Sequence, residues 1–309
     1  MTPDQIRDTI LKAIFSEEGL VDVLVLKGGN ALRYHGVTNR QSQDLDFSIK
    51  EEIRFTKEKE GKMLEEAIEE AFDRKGYIVN SFEFKDKPKK RKDTLPPFWG
   101  GYSITFTLLD KHKYQEKVAE KILNNENLKD LNKYAEPIAD NDTKTIEIDL
   151  SFDEYTEHKV TKNLDGTTIY LYSPLMIVYE KVRASCQQLD EYPLTSSKIR
   201  ARDLYDIYTT LTNNKFIDLR EEVFNPENFP VLEKIFNLKD VPLELMTKLG
   251  SKKDELEYDY EDNVRPQIPG NEDSVHFDYL FSYNQELFNE LYEEYINNKK
   301  TDDVSLKRI

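Results

Sequence analysis

Apolar positions alternate between helical and strand spacing as far as residue 172, and keep helical spacing through most of the remaining chain. Ile6, Ile10, Leu11 and Ile14 recur every three or four residues, the stripe of an amphipathic helix. Behind them VDVLVLKGG is an apolar run closed by two glycines, which predicts a buried strand entering a tight turn, with a short helix over residues 30–36. DLDFSI alternates apolar and acidic residues, the mark of a half-buried strand. Met63, Leu64, Ala67, Ile68, Ala71 and Phe72 form a helical stripe that Gly76 ends. YIVNSFEFK and YSITFTLL read as strands, Val118, Ala119, Ile122 and Leu123 as the apolar face of a helix, and TIEIDLSF and TTIYLY as two further strands.

At Ser173-Pro174 an N-cap residue is followed by a first-turn proline, so a long helix starts there. Ser196 or Ser197 can cap the next helix, which carries Ile199, Leu204, Ile207 and Leu211. Between 216 and 275 the pattern weakens into acidic sequence punctuated by asparagine and proline, to which no chemistry is assigned. Phe277, Leu280, Phe281, Asn284, Leu287, Phe288, Leu291 and Tyr295 then line one face of a last helix as packing surface. The expected fold class is α/β (α+β): a domain of strands and helices over residues 1–172, and a mostly helical domain over 173–309.

Composition narrows the chemistry. A chain of 309 residues is long for one domain. Its formal charge of −16 argues against coating nucleic acid by bulk electrostatics, so a nucleic-acid partner has to meet a local basic patch. KDKPKKRKD, residues 85–93, is the densest positive run: Lys85, Lys87, Lys89, Lys90, Arg91 and Lys92 form either such a patch or a solvated hairpin loop. Cys186 is the only cysteine, which precludes an intrachain disulfide and suits a reducing compartment. His35, His112, His158 and His276 are scattered and read as ordinary polar residues. No apolar run approaches the roughly 20 residues of a membrane span, and the expected location is cytoplasmic.

The candidate chemistry lies in LKGGNALRYHGVTNRQSQDLDFSI. A strand that ends in Gly28-Gly29 before a helix turns backbone N–H groups toward a triphosphate, and the missing side chains allow close approach. Paired glycines also make bare turns, and the Gly-Lys-Ser/Thr ending of a Walker loop is absent. Asp44 and Asp46 sharpen the reading. Two residues apart on a strand, roughly 6–7 Å along the chain, their carboxylates share a face and can address one magnesium or manganese ion, while Leu45 and Phe47 enter the core. The strand IEIDLSF offers Glu147 or Asp149 as a third carboxylate for metal-assisted phosphoryl transfer, unless these acids form a plain charged edge. Farther on, Lys181 lies beside an apolar helical arc, where it meets phosphate or snorkels to solvent. RARDLYD then sets Asp203 beside Asp206, with Arg200 and Arg202 as ion-pair partners at helical spacing.

Taken in order, KGGNAL, RQSQDLDF, EKVRAS and RARDLYDIY resemble the AbiEii/AbiGii family of bacterial nucleotidyltransferase toxins, of type IV toxin–antitoxin and abortive-infection systems. The resemblance covers roughly residues 24–208. It implies a DNA polymerase β-like nucleotidyltransferase domain with a mixed sheet, Asp44 and Asp46 as metal ligands, Lys181 as a triphosphate contact, Asp203 as an essential acid and Ser42 as a phosphate contact. It further implies an NTP substrate, a tRNA 3′ end as acceptor and a separately encoded antitoxin. Asn30 stands where threonine is frequent, Arg202 replaces a lysine, and the chain after 213 matches no motif, which leaves substrate choice open. A small-molecule or protein acceptor is the enzymatic alternative. A catalytically silent nucleotide- or RNA-binding module is the other, although such a module has no chemical need for paired carboxylates.

Overall fold

The computed structural model describes residues 1–37, 44–91, 93, 95–124, 133–138, 143–194, 198–268, 270 and 275–306, with side chains as far as 301. The chain divides into two compact units, Met1–Leu26 with Ser42–Leu171, and Lys27–Gln41 with Tyr172–Ile309.

The first unit opens with helix α1 (Pro3–Phe15), which begins where the sequence can satisfy its first N–H groups. Thr2 accepts from the Gln5 N–H, the Gln5 side chain returns the bond, and Pro3 takes the first helical position. A single turn, α2 (Glu18–Val21), leads to β1 (Leu24–Lys27), which runs into helix α3 (Gly28–His35). Then come β2 (Leu45–Lys50), α4 (Lys62–Asp73), β3 (Tyr77–Lys87), β4 (Gly101–Asp110), α5 (Lys111–Leu123), β5 (Ile146–Glu154), β6 (Lys159–Leu164) and β7 (Thr167–Tyr172). The seven strands form one sheet in the order β3-β4-β5-β2-β1-β7-β6. It is mixed, with β2 parallel to β5, β1 parallel to β7, and β3, β4 and β5 successively antiparallel.

Strict alternation along β5 explains the two faces of this sheet. Ile146, Ile148, Leu150 and Phe152 are buried, while Glu147, Asp149, Ser151 and Asp153 point the other way and are half-buried. Ile104 and Phe106 of β4 and Leu45 and Phe47 of β2 join the apolar side, where Phe15 of α1 meets Phe47 and Phe72 of α4 meets Phe106. Helices cover that face, so the opposite face collects the acids. A Cβ at Gly101 would stand 1.9 Å from the Leu150 carbonyl oxygen, and only glycine permits the observed approach of β4 to β5 there.

In the second unit α6 (Pro174–Cys186) is central. Ser173 caps it by accepting from the Met176 N–H at 3.2 Å, and it is buried on nearly every side, against α3, α7 (Ala201–Leu211), α8 (Leu219–Phe224), α9 (Phe229–Asn237) and the 3₁₀ turns of Leu243–Lys252. After α10 (Lys253–Asp259) the long helix α11 (Phe277–Leu306) closes the unit. Its predicted stripe from Phe277 to Leu291 is buried, and Asn284 within it donates to the Leu204 and Leu280 carbonyls at 3.1 and 2.8 Å. Among the described residues no helix is long and apolar enough to cross a membrane.

Two expectations are corrected, and one strand is new. On α5 the buried arc is not the apolar one: Ile122 and Leu123 are 60% and 82% exposed, whereas Tyr114, Lys117, Val118 and Lys121, at helical spacing, are the sheltered positions. Lysine stems supply that cover in place of leucines. The polar edge strand β6 went unpredicted, although its turn into β7, Asp165-Gly166 with φ of 47° and 94°, is a hairpin signal. Residues 195–197 lie outside the described part, but α7 starts only at Ala201, and Asp259 rather than a serine accepts its first N–H, at 2.7 Å.

Candidate active site

On the acidic face of the sheet the parallel register sets Asp46 directly beside Asp149, Leu45 beside Ile148 and Phe47 beside Leu150. Adjacent strands lie about 4.8 Å apart, so the two carboxylates rise from neighbouring backbones on one side. Asp46 is half-buried, and Asp44, one residue before β2, is exposed. Glu147 lies on the same face and accepts a hydrogen bond from Ser103 Oγ at 3.4 Å. The last residue of β3 completes the group. Lys87 Nζ donates to Asp149 Oδ1 at 2.7 Å and Oδ2 at 2.6 Å, and stands 3.8 Å from Glu147 Oε1.

Among the described residues no three His, Cys, Asp or Glu side chains close into a ready metal cage. The donor set still suits a hard divalent ion. Magnesium is commonly held by one or two carboxylates and completed by water and substrate phosphate, and Asp149 already binds a cation, the Lys87 ammonium, through both oxygens.

In the second unit the glycine turn opens α3. Lys27 has extended geometry and gives no side-chain cap, and Gly28 has φ of 67°, a conformation that a residue with a Cβ adopts at a cost. The first turn of α3 thus has no cap from the Lys27 side chain, and it lies at the positive end of the helix dipole. The helix is held at its far end, where His35 Nε2 donates to the Tyr172 carbonyl at 2.8 Å and Lys215 Nζ to the Gly36 carbonyl at 3.1 Å. Ser42 lies outside the described residues.

Lys181 of α6 and Asp203 of α7 meet in a buried cluster, a pairing the sequence reading did not expect. Lys181 Nζ sits 2.8 Å from Asp203 Oδ1 and 2.7 Å from Asp206 Oδ2, with side-chain exposures of 5%, 7% and 0%. Burial pushes the Lys181 ammonium toward neutrality, but the Asp203 and Asp206 charges beside it override this and hold its pKa above the ordinary lysine value. Burial likewise raises the Asp203 carboxyl, and Lys181, Arg200 and Arg202 outweigh it, leaving the pKa below the ordinary value. Thus the ammonium expected to meet phosphate has two carboxylates as partners.

Within the first unit, then, the structure brings Asp46 and Asp149 together, with Asp44 close along the chain. Within the second it joins Lys181 to Asp203 and packs the helix of Gly28 and Gly29 against α6. In the basic run Lys89, Lys90 and Arg91 are exposed, Lys85 pairs with Glu83 and Lys87 with Asp149, while Lys92 lies outside the described residues. Lys87 and Asp206 are the residues that a sequence reading underrates. The signals were present: Lys87 alternates with Lys85 along a strand, and Asp206 comes one helical turn after Asp203.

The model of the family described as nucleotidyl transferase AbiEii toxin, type IV TA system, matches residues 9–282. No curated protein matches. Similar solved structures include JHP933 from Helicobacter pylori, at 17% identity and a TM-score of 0.48, covering 99% of this chain and 96% of that one. Another is an antigenic nucleotidyltransferase-like protein from Paracoccidioides brasiliensis, at 12% identity and a TM-score of 0.34, covering 77% of this chain and 99% of that one.

Proposed function

We propose that this chain, which belongs to the AbiEii family of nucleotidyl transferase toxins of type IV toxin–antitoxin systems, transfers a nucleoside monophosphate from an NTP to an acceptor hydroxyl, using Asp44, Asp46 and Asp149 as its metal-binding carboxylates. The observation that carries this reading is the parallel register that makes Asp46 and Asp149 neighbours on the acidic face of the sheet.

Bound at these carboxylates, Mg²⁺ or Mn²⁺ supplies charge neutralisation for the phosphates and polarises the phosphorus under attack. The acceptor oxygen forms a bond to the α-phosphorus as the bond to the bridging oxygen breaks, and pyrophosphate leaves with that electron pair. Asp149, or Glu147 beside it, accepts the acceptor's proton. The assignment of a triphosphate contact to Gly28-Gly29 rests on the glycine turn before α3, since the start of a helix favours negative charge. Resemblance assigns Lys181 to the triphosphate. Its observed partners support a positioning role, bracing α6, against which α3 packs, onto α7.

For the acceptor we favour a tRNA 3′ end in the cytoplasm, on the family resemblance together with the exposed cations Lys89, Lys90 and Arg91, and for the partner a separately encoded antitoxin that relieves the resulting growth arrest. The purified protein, incubated with each labelled NTP, Mg²⁺ and total RNA, is expected to label RNA of tRNA size. Label on no acceptor, from a folded protein, overturns the proposal.

A further inference from the structure

Lys87 is the last residue of β3, in a cross-strand row with Gly101 of β4 and Ser151 of β5. From there the long lysine stem carries its ammonium past β4 to the second strand away, onto Asp149. Nothing in the core requires this. The Lys87 side chain is 53% exposed, and an ion pair so open to water adds little to stability. What it does is electrostatic. Asp46, Asp149 and Glu147 crowd negative charge on one sheet face, and Lys87 places a cation on the carboxylate that is the register partner of Asp46.

We infer that Lys87 is a place-holding counter-ion: its ammonium neutralises Asp149 until a divalent metal displaces it. The inference rests on the proposed reading of Asp46 and Asp149 as metal ligands. Both Asp149 oxygens are engaged by one ammonium at hydrogen-bond distance. A metal ion at about 2.1 Å from either oxygen would stand against that positive charge within a few ångströms, so the two cations compete for one carboxylate. The long, flexible lysine stem allows the ammonium to leave without moving the sheet. By this device part of the negative charge of the acidic face is offset in the metal-free protein, and metal affinity is lower than the carboxylates alone would give.

The test is Mn²⁺ binding to the full-length protein without NTP, with free Mn²⁺ measured by electron paramagnetic resonance. Lys87→Gln is expected to bind Mn²⁺ about two- to five-fold more tightly than the parent, the scale of competition from an ion pair of this exposure. Lys87→Arg, which keeps the charge, is expected to bind like the parent, and Asp46→Asn to lose binding. Equal or weaker Mn²⁺ binding by Lys87→Gln, with binding still lost in Asp46→Asn, overturns the role of Lys87 and leaves the metal site standing. Equal binding by Asp46→Asn and the parent, or no binding by either the parent or Lys87→Gln, overturns the metal site and the inference with it.

Discussion

The chain carries two lysine–carboxylate clusters, one on the acidic face of a sheet and one among packed helices. The residue types are the same; the physics is not. Lys87 and Asp149 are 53% and 26% exposed, so water screens their attraction and either can be replaced without leaving a stranded charge in the interior. Lys181, Asp203 and Asp206 are all but closed to solvent, and there the desolvation of each ion is offset only by its partners. An inactive variant therefore means different things in the two places. On the sheet it reports on chemistry, and between α6 and α7 it reports first on folding.

The largest expected effect is that of Lys181→Met, which leaves two buried carboxylates without their cation. Removing one partner of a buried pair costs about 3–5 kcal/mol. Chemical denaturation should show a loss of that order, and a loss below about 1 kcal/mol would mean that the cluster is as replaceable as the one on the sheet.

Asp46→Asn should do the reverse. Taking one carboxylate from the proposed metal site is expected to lower kcat by roughly 10²–10³-fold, with stability within about 0.5 kcal/mol of the parent. Near-parental turnover would remove Asp46 from the site. Unfolding on the scale of Lys181→Met would erase the contrast between the clusters.

Acidity sharpens the contrast further. Asp203 has its folded pKa below the ordinary 3.8, so its contribution is present above that value and is lost as pH falls through the lowered one. Lys181 has its folded pKa above the ordinary 10.5, so its contribution is complete below that value and is lost as pH rises through the raised one. The Tm difference between the parent and Lys181→Met should then be flat between about pH 5 and 9 and shrink at both extremes. A difference unchanged near pH 3 would show that the variant acts through lost packing and not through charge.

These clusters also mark how far the sequence could be read. Asp44, Asp46, Glu147 and Asp149 were assigned to one face each from alternation alone, because a strand's period of two leaves a carboxylate between apolar residues no other choice. Which strands are neighbours cannot be read from alternation, and the Asp46–Asp149 pairing appeared only with the sheet order. The helix of Lys181 was legible from Ser173-Pro174 and its apolar arc. Its partners were not, since helical spacing gives the face a lysine occupies and not the depth to which a neighbouring helix buries it. The acidic stretch after 216 hid most. Its short helices α8, α9 and α10 bury Val223, Leu232, Phe236 and Leu256, but turns break each stripe before it repeats often enough to stand out.

The smallest effect belongs to the bend between β3 and β4, and it tests whether that bend meets RNA. Lys87 is committed to Asp149 and Lys85 to Glu83, while Lys89, Lys90 and Arg91 are exposed, Arg91 also donating to the Pro96 carbonyl. If they meet the acceptor's phosphates, each contact adds roughly 0.7 to 0.9 to the slope of log affinity against log salt, without reading sequence. The variant with all three changed to glutamine should bind RNA more weakly at moderate salt and with a flatter salt dependence. NTP binding should remain near parental, because the glycine turn and the carboxylates are untouched. The measurement is RNA binding by fluorescence anisotropy across a salt series, with NTP binding as the control. An unchanged slope makes the bend a solvated turn, and the acceptor then docks on other residues. A fall in NTP affinity equal to the fall in RNA affinity would mean that the bend supports the fold of the acidic face instead of the acceptor.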